Sequence, residues 1–198
     1  MLEPCPASPE AVEEVRRRFG LERPFVLFVG TLEPRKNLAG VLAAFATLTD
    51  DVDLVVAGPD GWNEDFAGRL ADAGSQVADR VHRLGFLPMD DLRALYAACA
   101  VVCYPSTKEG FGLPVLDAMA HGAPVVTSAG TATEEVAGDA ALVVDPGDHA
   151  AIGAALASVI GDAGLAADLR LRGRARAAQY TWAASAEAAA SVYREAAG

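Results

Sequence analysis

The sequence predicts an α/β fold, a doubly wound parallel sheet of about six strands with helices on both faces. Two observations lead to this prediction. Short apolar runs without polar alternation, such as residues 25–29 (FVLFV), are typical of strands that are covered on both faces. Each run is followed by a segment with helical periodicity, so strand and helix alternate along the chain. We find no internal repeat and no linker, and therefore expect residues 1–198 to form a single domain.

The bounds of the elements follow from the apolar runs and from the residues that start and stop helices. The segment Ser8-Pro9-Glu10 combines a cap, a proline in the first turn and an early acid, and Gly20 stops this first helix. Thr133 is taken as the cap of a short helix. The predicted strands are residues 25–29, 52–57, 80–84, 100–104, 124–127 and 141–144. The predicted helices are residues 9–19, 38–48, 63–73, 89–98, about 113–121, 133–136 and, with breaks near 162 and 181, 148–198.

Composition excludes several classes of function. Hydrophobic residues make up 52% of the 198 residues and charged residues 22%, an ordinary globular balance, but the formal net charge is −11. A surface this acidic argues against a nucleic-acid or anionic-membrane partner. The three cysteines, Cys5, Cys99 and Cys103, lack metal-type spacing and suit reduced thiols. With no signal peptide and no long apolar run, these features predict a cytoplasmic protein.

One stretch, residues 109–117 (EGFGLPVLD), organises the chain. It follows a buried strand and places a carboxylate, Glu109, before two glycines and a helix start, with a second carboxylate, Asp117, further on. Unpaired N–H groups at a helix N-terminus attract anions. Glu109 alternatively ends a loop in solvent, and Asp117 alternatively gains only the ~0.3–1 kcal/mol that a helix dipole gives an acid.

The turn after the first strand argues against a dinucleotide or ATP site. Residues 30–35 (GTLEPR) hold one glycine and a proline instead of G-x-G-x-x-G, and the chain has no P-loop. The turn does offer the adjacent cations Arg35 and Lys36. Such a pair is usually a solvated surface, but this one is predicted to lie with residues 109–113 at the carboxyl edge of the sheet, where ligands bind.

Five segments, in this order, resemble family-four retaining glycosyltransferases of the GT-B fold. The segments are residues 30–38 (GTLEPRKNL), 84–87 (LGFL), 109–120 (EGFGLPVLDAMA), 122–126 (GAPVV) and 136–141 (VAGDAA). The resemblance covers about residues 24–195 and applies to the second, donor-binding domain of these two-domain enzymes. It implies that residues 1–23 form a lead-in helix, that residues 181–198 form a terminal helix, and that the acceptor domain is absent from this sequence.

The resemblance implies a role for each candidate residue. Arg35 and Lys36 would neutralise the nucleotide diphosphate, and Glu109 would act at the sugar as the catalytic carboxylate. Asp117, where the family more often has glutamate, would bind the ribose, and Thr31 stands where many members carry a further basic residue. Backbone contacts to the donor are expected from Gly30, Gly110, Phe111, Gly112 and Leu113.

The expected activity is transfer of a hexose from a nucleoside-diphosphate sugar to a glycan, lipid or small-molecule acceptor. The resemblance implies no metal and no cofactor, an acceptor site on the other domain, and room for peripheral membrane association of a full-length enzyme. Two alternatives stay open: another enzyme on the same scaffold, such as a sugar-nucleotide epimerase or a phosphorylase, and a nucleotide-binding module without catalysis. The base, the sugar and the acceptor are not specified by the sequence.

Overall fold

The computed structural model describes residues 7–197 and confirms the predicted fold class. Its six strands are all parallel and form one sheet in the order β3-β2-β1-β4-β5-β6. The strands are β1 (Phe25–Val29), β2 (Asp53–Ala57), β3 (Val81–Gly85), β4 (Val101–Tyr104), β5 (Val125–Ser128) and β6 (Leu142–Val144). The predicted strands differ from these only by a residue or two at their ends.

The central strands are apolar throughout because helices cover both faces of the sheet. Every residue of β1 is buried, and alternate side chains face opposite ways. Phe25 and Leu27 belong to the core on one face, and Val26 and Phe28 belong to the core on the other. A strand with two buried faces has no polar side, which is why the hydropathy of β1 does not alternate.

Ten α-helices surround the sheet within residues 7–197. They are α1 (Pro9–Phe19), α2 (Leu38–Phe45), α3 (Phe66–Ala73), α4 (Ser75–Ala78), α5 (Met89–Ala98), α6 (Leu113–Ala120), α7 (Ala132–Ala137), α8 (His149–Gly161), α9 (Ala163–Ala177) and α10 (Trp182–Ala197). The capping prediction for α1 is confirmed: the Ser8 side chain accepts a hydrogen bond from the Ala11 amide, and Gly20 adopts the left-handed conformation at the other end. The predicted breaks near residues 162 and 181 are also confirmed.

Three predicted helix bounds are wrong. The helix predicted from Asn63 begins at Phe66, because Asn63 has a positive φ of 51° and Asp65 supplies the cap. The helix after β5 is capped by Thr131 and not by Thr133, which is buried and bonded to Thr127. The helix predicted over residues 38–48 ends at Phe45 and continues as turns.

The strand order reverses between β1 and β4, which are neighbours in the sheet although β2 and β3 lie between them in the chain. The carboxyl ends of β1 and β4 therefore open into a crevice, the usual ligand position in such sheets. The loops after β1 and β2 also touch there. A Cβ added to Gly58 would lie 2.1 Å from the carbonyl oxygen of Gly30, so glycine is required for this approach.

Cys99 and Cys103 are free and buried, and burial raises the pKa of each thiol to about 12. They are packing residues, as predicted, whereas Cys5 lies outside the described residues. Within residues 7–197 no single helix is long and apolar enough to cross a membrane, although α8 and α9, which meet at a bend of 99°, pass such a test as a pair by length and composition.

Replacing Gly58 with alanine is expected to lower the free energy of unfolding by about 2 kcal/mol or more, because the new Cβ meets a backbone oxygen and φ is +139°. Chemical denaturation measures the change. The matched control is Gly161→Ala at the exposed end of α8, where nothing lies within 4 Å of an added Cβ, and the change there should stay within about 1 kcal/mol. Equal effects of the two substitutions would contradict the close approach of Gly58 to Gly30.

Candidate functional site

The basic pair lies in a single 3₁₀ turn, Pro34–Lys36, directly after the β1 loop. Asn37 ends this turn in the left-handed conformation with a φ of 60°, and its side-chain oxygen caps α2 at the Gly40 amide. The side-chain nitrogen of Asn37, Nδ2, donates to the carbonyl oxygens of Pro105 and Pro146 at 3.0 and 2.8 Å. Asn37 thus joins the basic turn to the loops that follow β4 and β6.

The loop after β4 is bonded directly to the same turn. The carbonyl oxygen of Arg35 accepts a hydrogen bond from the backbone amide of Thr107 at 2.8 Å. The guanidinium of Arg35 in turn donates to the Lys108 carbonyl at 3.4 Å. These bonds hold Arg35 and Glu109 at a fixed separation, although Arg35 and Lys108 are 73 positions apart in sequence.

Glu109 is the centre of the site. Its side chain is only 8% exposed, and one oxygen, Oε1, receives several polar neighbours. These neighbours are Lys36 Nζ at 2.6 Å, the Tyr104 hydroxyl at 2.8 Å, the Ser106 hydroxyl at 2.8 Å and Arg35 Nη1 at 3.0 Å. The alternative that Glu109 ends a loop in solvent is wrong, because the carboxylate is buried and paired with two cations.

Burial alone would raise the pKa of Glu109, but the hydrogen bonds from Lys36, Tyr104 and Ser106 outweigh it and hold the pKa below its usual value. Lys36 is itself 7% exposed, so the pair is a buried one. Arg35 is more accessible, with 39% of its side chain exposed, and it also pairs with Glu33 at 2.7 Å. The ordinary solvated-surface interpretation is therefore wrong for Lys36.

The glycine loop leads into α6 as the sequence predicts. Gly112 stands at the N-cap with a φ of +99°, and no described side chain caps the helix. Pro114 in the first turn has no N–H, and the Val115 and Leu116 amides donate to the Gly112 carbonyl, so the helical amide left free in this turn is that of Leu113. A Cβ on Gly112 would lie 2.6 Å from the Thr133 methyl group, so the loop packs closely against α7, whereas nothing lies within 4 Å of a Cβ added to Gly110. A helix N-terminus without a side-chain cap attracts anions.

The predicted donor residues around this loop differ in exposure. Phe111 is 41% exposed and packs edge-on against Tyr180, with ring centroids 5.9 Å apart. Leu113 is 52% exposed at the first turn of α6. Both side chains are therefore partly in solvent and outside the core.

Asp117 lies one turn further along α6, close enough to Arg93 and Tyr96 of α5 to interact with them electrostatically. Burial raises the pKa of the Asp117 carboxyl, and the charge of Arg93 offsets only part of the rise. His121, at the end of α6, stacks on Tyr96 with ring centroids 5.9 Å apart. Neither ring nitrogen of His121 has a hydrogen-bond partner among the described residues, and burial lowers the pKa of His121.

Gly30 follows β1 directly and lies close to Lys36. A Cβ on Gly30 would reach the Lys36 stem at 3.8 Å and the Tyr104 ring at 3.9 Å. Beside Gly30 a mostly apolar cleft of about 350 Å³ continues toward the loop after β3. Its lining residues include Thr31, Pro59, Phe86, Leu87 and Met89.

The structure therefore brings together Gly30, Arg35, Lys36 and Glu109, and places the residue 110–113 loop and Asp117 on the element that follows. Sequence reasoning missed Tyr104 and Ser106, which bond to Glu109. The signal available in the sequence was a tyrosine at the end of an otherwise apolar strand. Within residues 7–197 no three histidine, cysteine, aspartate or glutamate side chains cluster in a way that could hold a metal ion.

Comparison with known proteins defines the class to which this fold and site belong. A family model described as Glycosyl transferases group 1 matches residues 12–176. The O-antigen chain mannosyltransferase B of Escherichia coli is 39% identical over 182 residues, which are 89% of this chain and 48% of that protein. The chain thus spans about half the length of this relative.

Solved structures agree with the sequence match. Anabaena HepE in complex with UDP-glucose superposes with a TM-score of 0.79 at 26% identity, over 87% of this chain and 49% of that one. The C-terminal domain of the group 1 glycosyl transferase LpcC of Francisella tularensis superposes with a TM-score of 0.73 at 22% identity, over 88% and 94% of the two chains, and shows the shared fold. The chain belongs to the glycosyl transferases group 1 family.

Proposed function

We propose that the chain binds the donor in a retaining glycosyltransferase that moves a hexose from a nucleoside-diphosphate sugar. The observation that carries the proposal is the arrangement of Arg35 and Lys36 on Glu109, at the switch point of the sheet. The family, the mannosyltransferase relative and the UDP-glucose bound to HepE support it. Transfer by the whole protein is part of this proposal, because the chain spans about half of these relatives.

The two cations suit a diphosphate leaving group. Arg35 offers a planar fork of donors and Lys36 a compact charge. In this structure Arg35 pairs with the carboxylate of Glu33, and Lys36 pairs with that of Glu109. An incoming diphosphate would replace Glu109 and Glu33 as their partner. The start of α6 would add the Leu113 amide and the positive end of the helix dipole. Cations and amides together would stabilise the departing diphosphate without a divalent metal.

Glu109 is suited to the sugar side of the reaction. All of its described contacts are made by Oε1, which leaves Oε2 for the cleft. A carboxylate with a lowered pKa stays ionised beside the reacting carbon, where positive charge develops as the diphosphate departs. The acceptor would attack from the same face of the sugar that the diphosphate leaves.

The ribose and the base would occupy the two flanks of the site. Asp117 follows the glycine loop by one turn and would accept hydrogen bonds from ribose hydroxyls. The cleft beside Gly30, with Phe86 and Met89 at its rim, has apolar walls suited to a base. The cleft lining is apolar and does not by itself select one base.

Isothermal calorimetry with the 198-residue chain and a panel of nucleoside diphosphates tests the proposal. Binding of at least one diphosphate, tighter than its nucleoside, is the expected result, because the phosphates meet two cations and a helix N-terminus. Folded protein that gives no heat with any diphosphate would contradict donor binding. Equal affinity for nucleoside and diphosphate would instead favour a nucleotide-binding module without the phosphate site.

Replacing Arg35 with alanine is expected to weaken diphosphate binding about tenfold or more and to leave nucleoside binding unchanged, since a charge-assisted hydrogen bond is lost. The control is Arg69→Ala, which removes a surface arginine that pairs with Glu64 at 2.9 Å on α3. If Arg35→Ala and Arg69→Ala behave alike, Arg35 does not contact the diphosphate.

Replacing Asp117 with asparagine is expected to raise stability and to weaken binding of ribose-containing ligands about tenfold. The raised pKa means that the ionised Asp117 carboxylate is disfavoured by folding, so the stability gain is present above the folded pKa and vanishes below the ordinary value of 3.8. Denaturation against pH and calorimetry measure the two effects, with the exposed Asp72→Asn on α3 as control. The alternative helix-dipole role predicts a loss of stability and no change in affinity.

A further inference from the structure

The hydroxyl of Tyr104 contacts both charged groups at the centre of the site, Lys36 and Glu109. Tyr104 is the last residue of β4 and is fully buried, and its ring supports Gly30 at the floor of the crevice. Its hydroxyl contacts both Lys36 Nζ and Glu109 Oε1, the latter at 2.8 Å, while Lys36 Nζ also lies 4.8 Å from the centre of the ring. No other hydroxyl group in the described part of the chain contacts both of these side chains.

Chemistry fixes the direction of these hydrogen bonds. A lysine ammonium only donates, and an ionised carboxylate only accepts. Tyr104 therefore accepts from Lys36 and donates its one proton to Glu109, which orients both groups at once. Burial, followed by the hydrogen bond and charge of Glu109, holds the pKa of Tyr104 well above its ordinary value, so the phenol keeps this proton.

The Tyr104 hydroxyl would have its largest effect when a diphosphate is bound. The ammonium of Lys36 has three N–H donors, two of which point at Tyr104 and Glu109. When the diphosphate pairs with Lys36, Glu109 loses a cation but keeps its hydrogen bonds from the hydroxyls of Tyr104 and Ser106. Lys36 likewise keeps its hydrogen bond to the Tyr104 hydroxyl. Without the Tyr104 hydroxyl, each partner would lose its link to the other in the bound state.

Building on the proposed function, we propose that Tyr104 is a positioning residue. Its hydroxyl holds Lys36 toward the donor diphosphate and keeps Glu109 fixed and ionised when Lys36 pairs with the diphosphate instead of Glu109. Tyr104 acts through these two side chains and does not itself touch the donor. Ser106 supports the same carboxylate oxygen but not Lys36, so the two hydroxyls have different roles.

The test removes one oxygen atom with Tyr104→Phe, which keeps the ring under Gly30. Inorganic pyrophosphate serves as the calorimetric probe, because it reports on the phosphate site without requiring the correct base. Its affinity is expected to fall about tenfold, as for the loss of one charge-assisted hydrogen bond. The matched control is Tyr180→Phe, which removes a tyrosine hydroxyl that accepts from Arg176 at 2.8 Å, and should change the pyrophosphate affinity by less than about twofold.

A double-mutant cycle separates positioning from a general structural effect. If the hydroxyl acts through Lys36, Tyr104→Phe costs no further pyrophosphate affinity in a Lys36→Met background. Losses that multiply in the double variant would overturn the inference, because they would show that Tyr104 weakens binding independently of Lys36. Pyrophosphate affinity that is unchanged by Tyr104→Phe alone would overturn it equally.

A ligand-free measurement distinguishes this inference from the proposed function. The charged and titratable groups that face Glu109 are Lys36 and Arg35 from the 3₁₀ turn, Tyr104 from β4, and Lys108 and Glu135 around the adjoining cleft. In Tyr104→Phe the pKa of Glu109, followed by carbon-detected NMR of its carboxyl and assigned with Glu109→Gln, is expected to rise. A wild-type chain that binds neither pyrophosphate nor any nucleoside diphosphate would contradict the proposed function and, with it, the donor-linked role of Tyr104. A Glu109 titration unchanged by Tyr104→Phe, with wild-type binding intact, would overturn the Tyr104 inference alone.

Discussion

The burial of one carboxylate, Glu109, is the constraint on which the rest of the site depends. An ionised group removed from water must be compensated by partners, and removal of one partner leaves an uncompensated charge. Here the compensation converges on Oε1 from three directions: the 3₁₀ turn with Lys36 and Arg35, the end of β4 with Tyr104, and the following loop with Ser106. The carboxylate thereby sets where the two cations stand before any ligand arrives.

The backbone around the crevice is arranged to keep these directions fixed. Gly58 lets the β2 loop touch the carbonyl of Gly30, and the Thr133 methyl group lies against Gly112. The side-chain amide of Asn37 donates to carbonyl oxygens of two other loops, and the Arg35 carbonyl accepts from the Thr107 amide of the loop that carries Glu109. The loops after β1, β2, β4 and β6 are therefore held by their neighbours. A site preorganised in this way loses little conformational entropy when a ligand binds.

Most of the fold was accessible from the sequence because its strands are buried on both faces, and continuous apolar runs such as β1 and β4 have few other interpretations. Helix starts were less accessible. Thr131 and Thr133 are both good caps, and only the three-dimensional contact of Thr133 with Thr127 decides between them. The residues that carry the proposed chemistry, Arg35, Lys36 and Glu109, were found because loops at the carboxyl edge of a parallel sheet converge.

Tyr104 was not found, and the reason is physical. Within a strand, a tyrosine whose ring packs in the core has the same pattern as a phenylalanine, and the hydroxyl acquires its meaning only from Lys36 and Glu109, distant in sequence. The stabilising role of Asp117 in the helix dipole was weighed from the sequence, but the desolvation of its carboxyl group was not, since that depends on the tertiary packing around α6. Burial of polar groups is a tertiary property, which local periodicity does not contain.

The net charge of −11 makes the local cluster of Arg35 and Lys36 important for binding an anion. A nucleoside-diphosphate sugar is an anion and is repelled by the protein as a whole, so binding must rest on charges that act at short range. Lys36 is almost fully buried, and counter-ions screen it less than they screen a surface lysine. Under the proposed function, a bound diphosphate would replace Glu109 as the partner of the two cations, so donor binding would exchange one anion for another and leave no buried cation unpaired. The same exchange would free Glu109 to act at the sugar while the cations pair with the leaving group.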